Sequence, residues 1–286
     1  HVLDVLEGRH LDGLRVVLDV ANGAAFDLAG PVLQAAGAEV TVIANEPDGR
    51  NINHGCGATH PEFVAAAVVE AGADVGIALD GDADRLIAVD HLGNVVDGDH
   101  VIAICATDLR ERGRLADDTV VVTVMTNLGF RLAMEAAGVE GVTTGVGDRY
   151  VLEALAAGGY SLGGEQSGHV IFADHATTGD GLLTAIALLD VVARSGRSLS
   201  DLAAGAMTSL PQVLVNVQVS HRVPDVADRL AAEIADVEAQ RGGAGRVLLR
   251  ASGTEPLIRV MVEAATAEAA SDAAERLADV VRSRFG

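Results

Sequence analysis

The 286-residue sequence contains no lysine, so all 20 of its basic residues are arginine. That absence excludes a Schiff base to pyridoxal phosphate, a Walker A lysine, and the lysine that haloacid-dehalogenase-like phosphatases need beside their aspartates. Cysteine is scarce as well. Cys56 and Cys105 show no CxxC spacing, which argues against a zinc cage or a disulfide framework and suits a reducing compartment. No apolar run reaches the ~18 residues of a membrane-spanning helix. The stretch from His1 to His10 carries acid where a signal peptide would carry an apolar core. The cytoplasm is the expected location. Positive charge is outnumbered, with 41 acidic residues and a net charge of −21. A field of that sign repels nucleic-acid backbones and anionic lipid, so neither is an expected partner.

Hydrophobic residues make up 49% of the chain, enough for substantial apolar cores. The length allows roughly two or three domains at ~100 to 200 residues each. Leu14 to Val20 is a β-branched apolar run that leads through Asn22 and Gly23 into an alanine-rich helical stretch. A strand over Glu39 to Ala44 follows, and then Thr59 and Glu62, three apart, read as a capping box for a helix ending near Ala71. Strands at Asp74 to Leu79 and Leu86 to Asp90 bracket Asp80-Gly81-Asp82-Ala83-Asp84-Arg85. Strands alternating with helices imply a largely parallel sheet.

A second block repeats the theme. It has a strand over Thr119 to Val124, helices from Asn127 to Gly138 and from Gly147 to Ala157, and short strands Tyr160 to Leu162 and Val170 to Phe172. An amphipathic helix over Gly179 to Ala193 closes it. A third block, starting near Pro211, reads as strand, helix (Val226 to Gln240), strand, loop, strand and helix. The expected architecture is α/β: two mixed-sheet domains over 12–114 and 115–204, then a smaller α+β domain over 205–286.

Three segments carry chemistry. Asp80, Asp82 and Asp84 alternate with Gly81 and Ala83, so an extended loop can aim three carboxylates at one point. Converging like charges need a cation, and an all-oxygen set suits Mg²⁺. An EF-hand starting at Asp80 fails, because it would need Gly and Glu where the chain has Arg85 and His91. The plainer alternative is an acidic turn facing water. Arg250-Ala251-Ser252-Gly253-Thr254-Glu255-Pro256 combines a guanidinium, two hydroxyls and a bare glycine between two strands, as a phosphate cradle would. From Arg241 to Arg259 four arginines (Arg241, Arg246, Arg250, Arg259) face one acid, Glu255. An ordinary hairpin turn with scattered surface arginines would look similar.

Gly164-Glu165-Gln166-Ser167-Gly168-His169 offers several polar groups between glycines and can grip sugar hydroxyls; a polar turn with a surface histidine explains it nearly as well. Asp148 and Arg149 open a helix, which reads either as dipole complementation with a solvated arginine or as a further anion contact. His54, His91 and His221 show no ligand spacing.

The three segments, in this order, resemble the α-D-phosphohexomutase family, whose members have four domains. DGDADR over Asp80 to Arg85 is similar to the family's metal loop, GEQSGH over Gly164 to His169 to its sugar-reading loop, and RASGTEPLIRV over Arg250 to Val260 to its phosphate loop. The glutamine in GEQSGH and the wording SGTEP favour the glucosamine-phosphate branch over the mannose/glucose branch. The resemblance implies a phosphosugar substrate, Mg²⁺ held by Asp80, Asp82 and Asp84, and Arg85 as a catalytic group. It makes His169 a weaker candidate for handling a proton or orienting a neighbour. It further implies Glu165 and Ser167 on sugar hydroxyls, and Arg149, Arg250, Ser252, Gly253, Thr254 and Arg259 as anion contacts.

One departure stands out. The family's catalytic serine lies in a Thr-Ala-Ser-His-Asn-Pro motif that this chain lacks; Ala58-Thr59-His60-Pro61 resembles it but has no serine. The expectation is that residues 1–11 are a connector from a missing first domain and that the chain alone is inactive. A non-enzymatic phosphosugar-binding module is the reading from another class.

Overall fold

The computed structural model describes residues 1–240, 245–252 and 255–286. Gly253, Thr254 and Arg241 therefore lie outside the described residues. The chain divides into two compact units, residues 1–126 with 130–208 and residues 127–129 with 209–286.

The first unit starts with a 3₁₀ turn over Val2–Leu6, and Leu6 and Leu11 are buried. Its first sheet contains β1 (Arg15–Asp19), β2 (Glu39–Ile43), β3 (Val75–Leu79), β4 (Leu86–Asp90) and β5 (Val95–Val96), in the order β2-β1-β3-β4-β5. β1 runs parallel to β2 and β3, whereas β4 and β5 are antiparallel, so the sheet is mixed rather than largely parallel. The short loop after β3 explains this, because it has no room for a crossover helix and returns the chain as a hairpin. Three helices accompany the sheet: α1 (Ala29–Ala35), α2 (Pro61–Ala71) and α3 (Gly98–Glu111). The expected capping box is absent. His60 occupies the N-cap without a side-chain bond and Pro61 is the first helical residue, since its fixed φ and missing N–H suit that position. Helix α3 has no counterpart in the sequence reading, because Val101-Ile102-Ala103-Ile104 has strand-like propensity. Asp97 nevertheless caps it, accepting a hydrogen bond from the His100 amide.

The second sheet repeats the plan. β6 (Thr119–Thr123), β7 (Glu140–Thr144), β8 (Leu162–Gly164) and β9 (Val170–Phe172) are ordered β7-β6-β8-β9, with β8 and β9 forming an antiparallel hairpin. β7 is an exposed edge with no apolar run, and the sequence gives little sign of it. The helices here are α4 (Leu128–Ala136), α5 (Asp148–Gly158), α6 (Gly181–Ser195) and α7 (Leu199–Ala206). Helix α6 is not amphipathic. Every residue from Gly181 to Val192 is buried, because α6 packs against strands of both sheets and has no face left for solvent. The two sheets consequently share one hydrophobic core, which runs from Leu18 and Leu79 through Ile102 and Leu188 to Val120 and Leu162. Arg9 and Arg194 both bond Asp190, a buried carboxylate on α6, and this ties the N-terminal turn to the helix.

The second unit is an antiparallel sheet of β10 (Gln212–Gln218), β11 (Gly245–Ala251) and β12 (Leu257–Ala264), ordered β10-β12-β11. Helices α8 (Val226–Arg229), α9 (Ala231–Ala239) and α10 (Ala267–Phe285) accompany it, and α10 packs on β10 and β12. The single helix expected over Val226 to Gln240 is broken at Leu230, whose φ of −113° and ψ of 17° are not helical. The architecture is thus two mixed α/β sheets and a smaller α+β unit. Among the described residues, no helix is long and apolar enough to cross a membrane.

Candidate active site

β3 ends beside β1, at the point where the chain turns from β1 to one neighbour or the other, and such switch points collect ligands in α/β sheets. The loop from Asp80 to Arg85 leaves β3 there. Ala83 has φ +60°, which bends the loop so that successive carboxylates converge. Oxygens of Asp80, Asp82 and Asp84 all lie within 4.8 Å of one another. Asp80 is buried and its Oδ1 accepts the Arg85 amide at 3.1 Å; Asp82 is exposed. The Arg85 guanidinium lies 3.8 Å from Asp80 and 3.6 Å from Asp84, so one positive charge faces three negative ones. Asp84 Oδ1 is buried and has no hydrogen-bond partner. A cluster of hard oxygens carrying more negative charge than Arg85 offsets fits a divalent cation such as Mg²⁺.

Burial, with the Asp84 and Asp82 charges adding to it, pushes the Asp80 carboxyl up to about 6 from an ordinary value of 3.8. Between those values the folded chain binds more protons than the unfolded one, so without a cation its stability falls as pH rises through that window. Cation binding needs the carboxylate and strengthens over the same window. Mg²⁺ should therefore raise the unfolding temperature more at a pH of about 7.5 than at about 5. Thermal unfolding with and without Mg²⁺ at both pH values checks this, and equal shifts would contradict it.

The loop from Glu165 to His169 joins β8 to β9 as the aspartate loop joins β3 to β4, and the two loops touch. The Leu86 amide donates to Gly168 O at 3.0 Å. Gly168 has φ +93°, and a Cβ there would lie 2.1 Å from Leu86 O, so only glycine permits this approach. Glu165 Oε1 accepts the Gly147 amide at 3.0 Å, and Ser167 is exposed. The Gln166 side chain donates to Asp97, the cap of α3, and the Gln166 backbone carbonyl accepts the Gly98 amide; this glutamine anchors the loop. Buried His169 lies between Asp84 Oδ2 and the Gly179 amide, each at 3.1 Å. Arg149 is exposed on α5, two residues after Gly147, and is paired with Glu153 at 2.7 Å.

The sequence reading missed Gly179-Asp180-Gly181. Asp180 caps α6 by accepting the Leu183 amide, and the Gly181 amide donates to Ala83 O in the aspartate loop at 2.9 Å. An aspartate just before an apolar run was the available signal.

In the second unit, Arg250 and Arg259 are direct partners across β11 and β12, with Ser252 just beyond. The Ser252 Oγ accepts the Glu255 amide at 3.3 Å. Arg246 belongs elsewhere, since its guanidinium bonds the buried Glu263 carboxylate at 2.9 Å. Of the four arginines counted in the sequence, it is not available to an anion.

Comparison with known proteins bears on the family and the fold. The description "Phosphoglucomutase/phosphomannomutase, alpha/beta/alpha domain II" matches residues 3–93, that of domain III matches 97–210, and that of the C-terminal domain matches 214–280. A phosphoglucosamine mutase of Frankia alni is 62% identical over 283 residues, covering 99% of this chain and 62% of the relative. One from Streptomyces avermitilis is 58% identical over 287 residues, covering 100% of this chain and 63% of the relative. The chain thus spans about three fifths of the length of these relatives. Among solved structures, N-acetylphosphoglucosamine mutase of Aspergillus fumigatus, in complex with GlcNAc-6P and magnesium, superposes with a TM-score of 0.78 at 23% identity. That likeness covers 100% of this chain and 64% of the fungal one, and it bears on the fold. A phosphoglucomutase/phosphomannomutase family protein of Burkholderia thailandensis gives 0.79 at 25% identity, covering 99% and 63%. With successive domains of one family matched in order along nearly the whole sequence, the chain belongs to the phosphoglucomutase/phosphomannomutase family.

Proposed function

We propose that the protein is a phosphoglucosamine mutase, interconverting glucosamine 6-phosphate and glucosamine 1-phosphate through a phosphoserine and a bisphosphate, and that it works in the cytoplasm to supply cell-wall nucleotide-sugar synthesis. The observation that carries this reading is the docking of the Glu165 to His169 loop on the Asp80 to Arg85 loop. It sets polar groups suited to sugar hydroxyls beside carboxylates suited to a cation. The relatives named phosphoglucosamine mutase, at 58 to 62% identity, support the choice of substrate.

In this reading a phosphoserine gives its phosphoryl group to the free oxygen of the sugar phosphate; the bisphosphate reorients and returns the other phosphoryl group to serine. No Thr-Ala-Ser-His-Asn-Pro segment of these 286 residues supplies that serine, so the chain alone is inactive. Asp80, Asp82 and Asp84 would hold Mg²⁺, which would supply neutralisation of phosphoryl charge. Arg85 donates to the same oxygens. Glu165 and Ser167 bond hydroxyls presented in either orientation of the ring. Arg250, Ser252, Gly253, Thr254 and Arg259 take the phosphate that is not transferring, with Arg149 as a further anion contact.

The test compares kcat/KM of the complete enzyme for glucosamine, glucose and mannose 6-phosphates. A site that hydrogen-bonds the amine should favour the amino sugar by about 10²-fold or more. Equal use of the neutral sugars would favour a phosphoglucomutase/phosphomannomutase, and binding without turnover would favour a phosphosugar-binding module.

A further inference from the structure

We propose that Asp97 is a positioning residue, which seats the Glu165 to His169 loop by holding the Gln166 side chain and so governs sugar binding without touching the ligand. This rests on the sugar-loop reading above and deepens it, because it names the group that sets where Glu165 and Ser167 stand.

Asp97 directly follows β5 and caps α3 with one of its oxygens. Its Oδ1 accepts the His100 amide at 3.1 Å and lies 2.7 Å from His100 Nδ1. Burial by itself raises this carboxyl, but His100 and the Gln166 side chain outweigh it and hold the group below its ordinary range. An ionised carboxylate only accepts. Its Oδ2 therefore takes a hydrogen from Gln166 Nε2 at 3.2 Å, and the imidazole donates from Nδ1. Three donors thus converge on Asp97: two come from the helix that it caps, and one comes from the sugar loop, 69 positions away. Without Gln166, Oδ2 loses the one donor that joins loop to helix. Glu165 and Ser167 flank Gln166 in the chain, so whatever displaces its side chain is passed to both of them.

The backbone beside Asp97 is built for this contact. The Gly98 amide donates to Gln166 O at 3.0 Å. A Cβ on residue 98 would lie 2.2 Å from Glu165 O, 2.7 Å from the Gly168 nitrogen and 2.8 Å from Gln166 O, so only glycine lets the first turn of α3 meet the loop this closely. The support is itself fixed, since α3 is buried from Val101 to Ala106 in the core that the two sheets share. The loop thus rests on a helix end anchored in that core, through one backbone bond and one side-chain bond.

The experiment measures KM and kcat of the complete enzyme for glucosamine 6-phosphate and glucose 6-phosphate. Gln166→Met fills the same space but cannot donate. It should raise KM for both sugars by one common factor of about 10, the lower end of what a hydrogen bond to a charged group carries, with kcat changed much less. Gln166→Glu should be worse, at about 100-fold, because it sets a second carboxylate against Asp97. Combining Gln166→Glu with Asp97→Asn reverses the bond: the side chain at 97 now donates to the one at 166, its remaining oxygen still accepts from His100, and asparagine caps a helix as well as aspartate does. This pair should recover most of the lost affinity, which a merely space-filling role would not produce. Unchanged KM in folded Gln166→Met, a rise confined to glucosamine 6-phosphate, or a double variant no better than Gln166→Glu overturns the proposal. Should Gln166→Met fail to fold, the comparison of Gln166→Glu with the double variant still decides it. A complete enzyme that turns over only neutral sugar phosphates overturns the substrate reading instead, and the same variants then test the seat on those sugars, so the two failures are distinct.

Discussion

Asp82→Ala should abolish saturable Mg²⁺ binding by the chain and, in the complete enzyme, lower turnover by about 10³-fold, corresponding to roughly 4 kcal/mol of charge stabilisation. Asp82 is the informative member of the three. Asp80 is buried and accepts the Arg85 amide, so replacing it disturbs the loop itself. Asp84 is held by His169, so replacing it also empties that contact. Asp82 is exposed, and removing its carboxylate takes away a ligand and a like charge without opening the core. The cation-free chain should therefore be no less stable. Asp80, relieved of one repelling neighbour, should titrate closer to its ordinary range. Calorimetry with Mg²⁺ and thermal unfolding without it separate these effects. Undiminished Mg²⁺ binding by a folded Asp82→Ala chain would remove the metal site from the mechanism.

Much of this site is local in sequence, and that part was legible. The alternation from Asp80 to Asp84 needs only one strand end and one bend to bring three carboxylates together, and both lie within the motif. The strands themselves announced their ends through β-branched runs and glycine-rich loops. What could not be read depends on segments far apart in the chain. His169 meets Asp84 across 85 positions. Gly179 becomes necessary only because that imidazole has arrived beside it. Helix α6 looked amphipathic because a helix in isolation is expected to have a wet face; a second sheet covers the side that would have been wet. Arg246 looked like a free cation within a basic stretch, and only strand register shows Glu263 opposite it. Periodicity reports which residues share a face but not what that face will meet.

Register also motivates the second large effect, in the complete enzyme: Arg250→Ala should raise KM by about 10- to 100-fold, as expected for losing a charge-assisted hydrogen bond of ~1.5 to 3 kcal/mol, and change kcat much less. On β11 and β12 the pair Arg246 and Glu263 joins opposite charges, the next pair on that face is Leu248 with Met261, and the next sets Arg250 against Arg259. Like charges directly opposite in an antiparallel ladder are destabilising by ~0.2 to 1 kcal/mol, a cost that makes sense where an anion settles between them. Ser252, just past Arg250, adds a hydroxyl at the same end of the ladder. A phosphate bound there gains equally in ground and transition states if it is not the group being transferred, and that places the loss in KM. The same substitution removes the repulsion, so the ligand-free variant should unfold at the same temperature as the parent chain or slightly higher. Steady-state kinetics and thermal unfolding together test this. An unchanged KM would free Arg250 from substrate binding, whereas a fall in stability would mean that some group of the protein already neutralises the pair.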